Sequence, residues 1–113
     1  MQISQFRQDD VTVAEARGRI DTATSREFGD KVGALMAGGA SKVLVDLTGI
    51  AYISSAGFRA LLEIGRRSQA CRCKFGLCGL NQEVQRLFEI SGFLELFDIF
   101  PNRNEGIAKL SGL

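Results

Sequence analysis

The residues most able to do chemistry are two adjacent serines, Ser54 and Ser55, which follow an apolar segment and open a predicted helix over 55–69. Unpaired N–H groups and the positive end of the helix dipole favour an anion at such a position. A phosphate on either serine would therefore be tolerated there, and it would add about −1.5 to −2 charge. Gly57 lets another backbone approach the first turn. Serine is also a good helix N-cap, so the spacing leaves capping and modification both open.

The remaining residues exclude most enzyme chemistry. The chain has no histidine, which removes every Ser-His-Asp, Cys-His and histidine-ligated metal mechanism. It has neither a Walker A phosphate loop nor a G-x-G-x-x-G fingerprint. The three cysteines, spaced C-x-C-x₄-C, lack a fourth zinc ligand, and we expect them to be small buried residues on a strand: Cys71, Cys73 and Cys78. We predict no catalytic residue, no metal site and no cofactor.

Composition indicates one ordinary globular domain over residues 1–113. The chain is 45% hydrophobic and 24% charged, enough for one core without disulfides or metal. A net charge of +1 gives no general attraction to nucleic acid. The basic cluster on the C-terminal part of the second helix and the strand after it lacks an aromatic platform, so we expect it to be solvated: Arg66, Arg67, Arg72 and Lys74.

The N-terminal residues, the apolar runs and the number of cysteines predict a cytoplasmic location. The first seven residues lack a basic segment followed by an apolar one, which a secretory signal needs. No apolar run approaches the ~20 residues that cross a bilayer, so we expect no direct membrane insertion. An odd number of thiols in a chain that can build a core favours a reducing compartment.

Periodicity predicts strands alternating with helices. Ile3–Arg7 and Val11–Ile20 form a hairpin, and a change of apolar parity predicts a bulge near Ala14. Thr24 and Glu27 have capping-box spacing at the start of a first helix. Val43–Leu47 is typical of a buried central strand. The second helix is predicted to have one buried side and one exposed row of charged residues spaced four apart. The buried residues are Phe58, Leu61, Leu62 and Gly65, and the exposed residues are Arg59, Glu63 and Arg67.

The second half of the chain repeats this alternation. A strand is predicted from Cys71 to Leu77, Asn81 caps a third helix that Gly92 ends, and an apolar stretch precedes a last helix opened by Asn102. This order calls for a mixed, mainly parallel α/β sheet of about four to five strands with right-handed crossovers. About four helices should pack mostly on one face, with the hairpin at the edge.

The chain resembles the STAS domain family, which includes bacterial anti-sigma factor antagonists. The resemblance spans nearly the whole chain, and the order of its motifs is more specific than any one of them. They are Gly18-Arg19-Ile20-Asp21, Asp46-Leu47-Thr48-Gly49, Ile53-Ser54-Ser55-Ala56-Gly57-Phe58, and the pattern from Gly79-Leu80 to Gly92-Phe93. The resemblance implies a single STAS-like domain over residues 1–113.

The resemblance also implies a phosphorylation switch. In such antagonists an anti-sigma factor with a histidine-kinase-like serine kinase domain phosphorylates a serine at this helix start, and a serine phosphatase removes the phosphate. The unphosphorylated antagonist binds the kinase and releases a sigma factor. The acceptor falls on Ser55, with Ser54 second because many members have aspartate there. The implied partner contacts are Asp21, Ser54, Ser55, Ala56, Gly57, Phe58 and Arg59.

Alternatives remain open at this point. Asp21 and Asp46 suit turn or helix caps as well as a functional role, and Phe58 fits the buried side of its helix. The chain as a whole also fits a constitutive STAS subunit that braces a lipid-transporting ABC ATPase, or a small-ligand domain whose site lies beyond the parallel strands. Nothing in the sequence demands an oligomer, so we expect a monomer.

Overall fold

The computed structural model describes residues 1–112 and contains one five-stranded sheet. The strands are β1 (Gln2–Gln8), β2 (Val11–Ile20), β3 (Lys42–Ile53), β4 (Lys74–Cys78) and β5 (Ile99–Phe100), and they lie side by side in chain order. β1 pairs antiparallel with β2, while all other neighbours are parallel. The predicted mainly parallel sheet with a hairpin at its edge is therefore confirmed.

The connecting helices lie on one face because every crossover steps in the same direction across the sheet. Right-handed connections that step one way place their helices on a common face. These helices are α1 (Ser25–Ala37), α2 (Ser55–Ala70) and α3 (Gln82–Ser91). A 3₁₀ turn, Leu94–Leu96, leads into β5, and α4 (Arg103–Leu110) then returns over the opposite face.

The sheet separates two apolar clusters. The larger lies under α1, α2 and α3 and includes Phe28, Leu61 and Phe88, all fully or almost fully buried. The smaller lies under α4. Both faces of β2 are covered, since Val13 belongs to the smaller cluster and Ala14 to the larger. This explains the change of apolar parity without a bulge at Ala14.

Several local predictions need correction. The bulge or bend predicted near Ala14 lies slightly later in β2, whose register with β3 shifts between Glu15 and Arg17 and again between Gly18 and Arg19. On α2, Ile64 and Ser68 are buried, whereas the predicted core residues Leu62 and Gly65 are only half-buried.

Cys71 is also placed differently from the prediction. It is exposed, because it lies in the turn between α2 and β4 and not on a strand. In that turn Arg72 has φ of 57°, a left-handed conformation, so the residues just before β4 do not continue the strand. Cys73 and Cys78 are buried as predicted.

Three helix boundaries follow their local signals. Asn81 and Asn102 accept hydrogen bonds from the backbone N–H groups of Val84 (2.8 Å) and Glu105 (2.9 Å) and so cap α3 and α4. Gly92 ends α3 in the left-handed conformation, φ 74°. These predictions are confirmed, because each depends on a residue and its immediate neighbours.

Candidate functional site

The two serines lie at the carboxyl end of the parallel strands. β2 ends at Ile20 and β3 at Ile53, and the two strands are joined at this point because the N–H of Ser54 donates to the carbonyl of Ile20 at 2.9 Å. α2 begins at the next residue, Ser55. Ser54, the single residue between β3 and α2, is therefore fixed against the neighbouring strand, and the start of α2 lies at this end of the sheet.

Ser54 and Ser55 have different environments. Ser54 is half-buried, and its hydroxyl accepts a hydrogen bond from the N–H of Gly57 at 3.3 Å, so it is the N-cap of α2. Ser55 is exposed as the first residue of the helix. Within residues 1–112 its hydroxyl has no hydrogen-bond partner. The capping role therefore belongs to Ser54, and an accessible, uncommitted hydroxyl belongs to Ser55.

Gly57 lets α2 approach β2 closely. A Cβ at this position would lie 2.6 Å from the carbonyl oxygen of Ile20 and 2.7 Å from Cγ2 of Ile53. Both distances are shorter than a van der Waals contact, so no larger residue fits without movement of the backbone. Gly57 thus sets the position of the helix start, and with it the position of Ser55.

Asp21 organises the adjoining turn before α1. Its carboxylate accepts from the N–H groups of Ala23 (3.0 Å) and Thr24 (3.2 Å), and the hydroxyl of Thr24 accepts from the N–H of Asp21 at 2.9 Å. The helix therefore starts at the predicted place, but Thr24 does not make the predicted capping-box contact. The carboxylate of Asp21 is partly exposed, and its Oδ2 lies 3.7 Å from Nε of Arg19.

Some side chains near the start of α2 are buried in the core, and others are exposed on the surface. Phe58, a predicted partner contact, is 7% exposed and packs against the rings of Phe88 and Phe93, at centroid distances of 4.9 and 5.2 Å. It therefore belongs to the core in this conformation. Arg59 is exposed, and among residues 1–112 no carboxylate lies within 4.0 Å of it. With half-buried Ala56, it lines a groove of about 280 Å³ between α1 and α2.

Asp46 is buried and holds α4 against the sheet. Its carboxylate accepts from the N–H and hydroxyl of Thr48 (2.9 and 2.6 Å) and from Arg103 (3.0 Å). Arg103 also pairs with Glu15. Burial alone would raise the pKa of Asp46, but the hydrogen bonds from Thr48 and the Arg103 guanidinium keep that pKa below its ordinary value. Asp46 is thus a structural residue, and sequence reasoning did not find its partner Arg103.

No group of three or more cysteine, aspartate or glutamate side chains among residues 1–112 is arranged to hold a metal ion. No helix in the same range is long and apolar enough to span a membrane.

Relatives of this chain are regulatory proteins. The family model described as the STAS domain matches residues 3–106. The Bordetella bronchiseptica protein named "Putative anti-sigma factor antagonist BtrV" is 30% identical over 108 residues, which cover 96% of this chain and 93% of that protein.

Solved structures show the same fold. An anti-sigma factor antagonist from Mycobacterium paratuberculosis has a TM-score of 0.88 at 19% identity, over 97% of this chain and 93% of that one. The Bacillus cell fate determinant SpoIIAA in its phosphorylated form has a TM-score of 0.71 at 15% identity, over 96% of this chain and 98% of that one. The predicted α/β fold is thereby confirmed.

Proposed function

This chain belongs to the STAS domain family, and from that membership we propose that it is an anti-sigma factor antagonist switched by phosphorylation of Ser55. The relatives are regulatory binding proteins, not enzymes. In the proposed cycle the unphosphorylated chain binds an anti-sigma factor in the cytoplasm and so releases a sigma factor. A serine kinase domain of that anti-sigma factor phosphorylates Ser55, and a serine phosphatase restores the free hydroxyl.

The exposed and uncommitted hydroxyl of Ser55 is the observation that carries this proposal. Ser54 next to it is half-buried and already caps α2, so its modification would cost the helix its cap. A phosphate on Ser55 would instead meet the N-terminal N–H groups of α2 and the positive end of its dipole. The neighbour SpoIIAA, which carries the same fold, is described in a phosphorylated form.

In the proposed phosphoryl transfer this chain is the substrate and supplies only the acceptor hydroxyl. The Ser55 oxygen attacks the γ-phosphorus of ATP held by the partner, the bond to the bridging oxygen breaks, and ADP leaves. The partner supplies the nucleotide, the metal ion and the group that accepts the hydroxyl proton. The chain contributes position, because Gly57 and the Ser54–Ile20 hydrogen bond fix the helix start from which the hydroxyl projects.

The charge of a phosphate on Ser55 would switch off binding of the partner. A phosphate dianion in the docking surface must lose water when the partner binds, and any facing carboxylate repels it. A loss of about 3 kcal/mol lowers affinity roughly a hundredfold, since each 1.4 kcal/mol is a factor of ten. The neighbouring exposed residue Arg59 and the groove beside it extend the surface that a monomeric chain offers to its partner.

Site-resolved phosphorylation tests the assignment. The kinase that co-purifies with the tagged chain is incubated with ATP and with wild type, Ser55→Ala or Ser54→Ala, and phosphate is located by mass spectrometry. We expect Ser55→Ala to lose the phosphate and Ser54→Ala to keep it on Ser55. Phosphate on Ser54 of the wild type, or equal labelling of both variants, would show that the acceptor is elsewhere.

A further inference from the structure

A second surface lies at the other end of α2, far from Ser55. It is a groove of about 880 Å³ between α2, β4, the chain that enters β5, and α4. Its lining includes the apolar residues Leu62, Cys73, Phe75, Leu96, Phe97, Phe100 and Leu110, and α2 also contributes the polar residues Arg66, Ser68 and Gln69. At 1.5 Å per helical residue, the α2 residues in its wall lie between about 10 Å (Leu62) and about 21 Å (Gln69) along the helix from Ser55. The groove is therefore separate from the proposed phosphorylation site.

One wall of the groove is an open sheet edge. β5 pairs with β4 only at Leu77 and Cys78, and the N–H of Leu77 donates to the carbonyl of Asp98 at 2.8 Å. Backbone groups that face β5 belong to alternate residues of β4, so Phe75 is the next such position back. β5 begins at Ile99 and does not reach it. Within residues 1–112, the N–H and C=O of Phe75 therefore face the groove without a strand partner.

The two sides of this edge differ in chemistry. The Phe75 ring lies on the α2 side with Phe97, at a centroid distance of 6.4 Å. Lys74 precedes it and points to the opposite side, where Lys109 of α4 also lines the groove. Within residues 1–112 neither lysine has a carboxylate within 4.0 Å. Asp98 is the one acidic residue among those that line the groove.

We propose that this groove binds an extended acidic segment of another protein, which adds as a strand beside β4. A strand in this position alternates its side chains between the two sides. One set meets Phe75 and Phe97 and is apolar, while the other meets Lys74 and Lys109 and is acidic. A two-fold pairing of two copies through this edge would bring the lysines together, so a second copy is a poor occupant.

Amide exchange and peptide binding test this proposal without reference to phosphorylation. The full chain is mixed with the peptide Glu-Val-Glu-Ile-Glu-Val-Glu or with its counterpart in which lysine replaces glutamate. We expect the Phe75 amide of the free chain to exchange faster than that of Leu77, and to become protected only with the acidic peptide. The double variant Lys74→Glu, Lys109→Glu should bind that peptide roughly tenfold more weakly. Lys31→Glu, which changes an exposed lysine paired with Glu27 on α1, is the matched control and should bind normally.

Other results overturn the proposal. Equal binding of the basic peptide would remove the role of the lysines, and protection of Phe75 in the free chain would mean that the edge is already paired. An anionic fatty acid that binds without protecting Phe75, when the acidic peptide does not bind, would identify a lipid site instead. Failure here leaves the assignment of Ser55 untouched, since the two surfaces are tested separately.

Discussion

Substitution of Gly57 by alanine tests how the fold positions the proposed phosphorylation site. The added Cβ would meet the Ile20 carbonyl at 2.6 Å, Cγ2 of Ile53 at 2.7 Å and Cγ2 of Ile20 at 2.9 Å. A backbone carbonyl cannot move aside as a flexible side chain can, so α2 itself has to shift. Overpacking of this kind costs about 1–3 kcal/mol. For a chain of this length we therefore expect the midpoint of thermal unfolding to fall by about 4 to 12 °C.

Gly29→Ala on α1 is the matched control. Its Cβ would lie 3.9 Å from Cβ of Ala60, an ordinary contact. Because alanine is favoured over glycine inside a helix by about 0.5–1 kcal/mol, this variant should be slightly more stable than the wild type. Thermal and urea unfolding followed by circular dichroism measure both changes. If Gly57→Ala were as stable as Gly29→Ala, the close packing of α2 on β2 would not constrain the helix start as argued.

Three further outcomes are expected. Ser54→Ala should lower the free energy of unfolding by about 1 kcal/mol, whereas Ser55→Ala should change it by less than about 0.5 kcal/mol, both by urea unfolding; the reverse order would exchange their roles. Because the pKa of Asp46 is lower in the folded chain, its ionised form stabilises the fold above its ordinary pKa of about 3.9, and this contribution is lost as pH falls. Asp46→Asn should therefore weaken stability at pH 7 and flatten its acid dependence; an unchanged acid profile would contradict this. Exposed Cys71 should react quickly with a thiol reagent near pH 8, while Cys73 and Cys78 should react only on unfolding. Burial is the main reason that the pKa values of Cys73 and Cys78 are raised to about 11 and about 12. A second fast-reacting thiol would be inconsistent with their buried positions.

Features with a local signal were predictable from the sequence. The caps at Asn81 and Asn102 and the end of α3 at Gly92 each depend on a few neighbouring residues, and the structure has all three. The strand–helix order was enough to predict the mainly parallel sheet with a hairpin at its edge, whereas the order of the strands across the sheet was not predicted. The start of α2 at Ser55 was predicted from its local signals, but β3 extends to Ile53, six residues beyond the predicted end of that strand at Leu47.

Features that depend on distant residues were not predictable. Arg103 meets Asp46 across 57 positions of the chain, and no local pattern marks that pair. The sequence did not show which serine caps α2, because that depends on which of the two adjacent hydroxyls accepts the hydrogen bond from the Gly57 N–H, and in the structure it is Ser54. The exposure of Cys71 was mispredicted because apolar alternation continued through a turn in which Arg72 adopts a left-handed conformation.

The proposed switch is tested most directly by the affinity of the anti-sigma factor for this chain with phosphoserine incorporated at position 55. Titration calorimetry against the unmodified chain measures the difference without depending on the rate of any kinase. We expect the modified chain to bind about a hundredfold more weakly or worse, while its circular dichroism spectrum is unchanged. Equal affinity of the two forms would mean that a phosphate on Ser55 does not operate the switch.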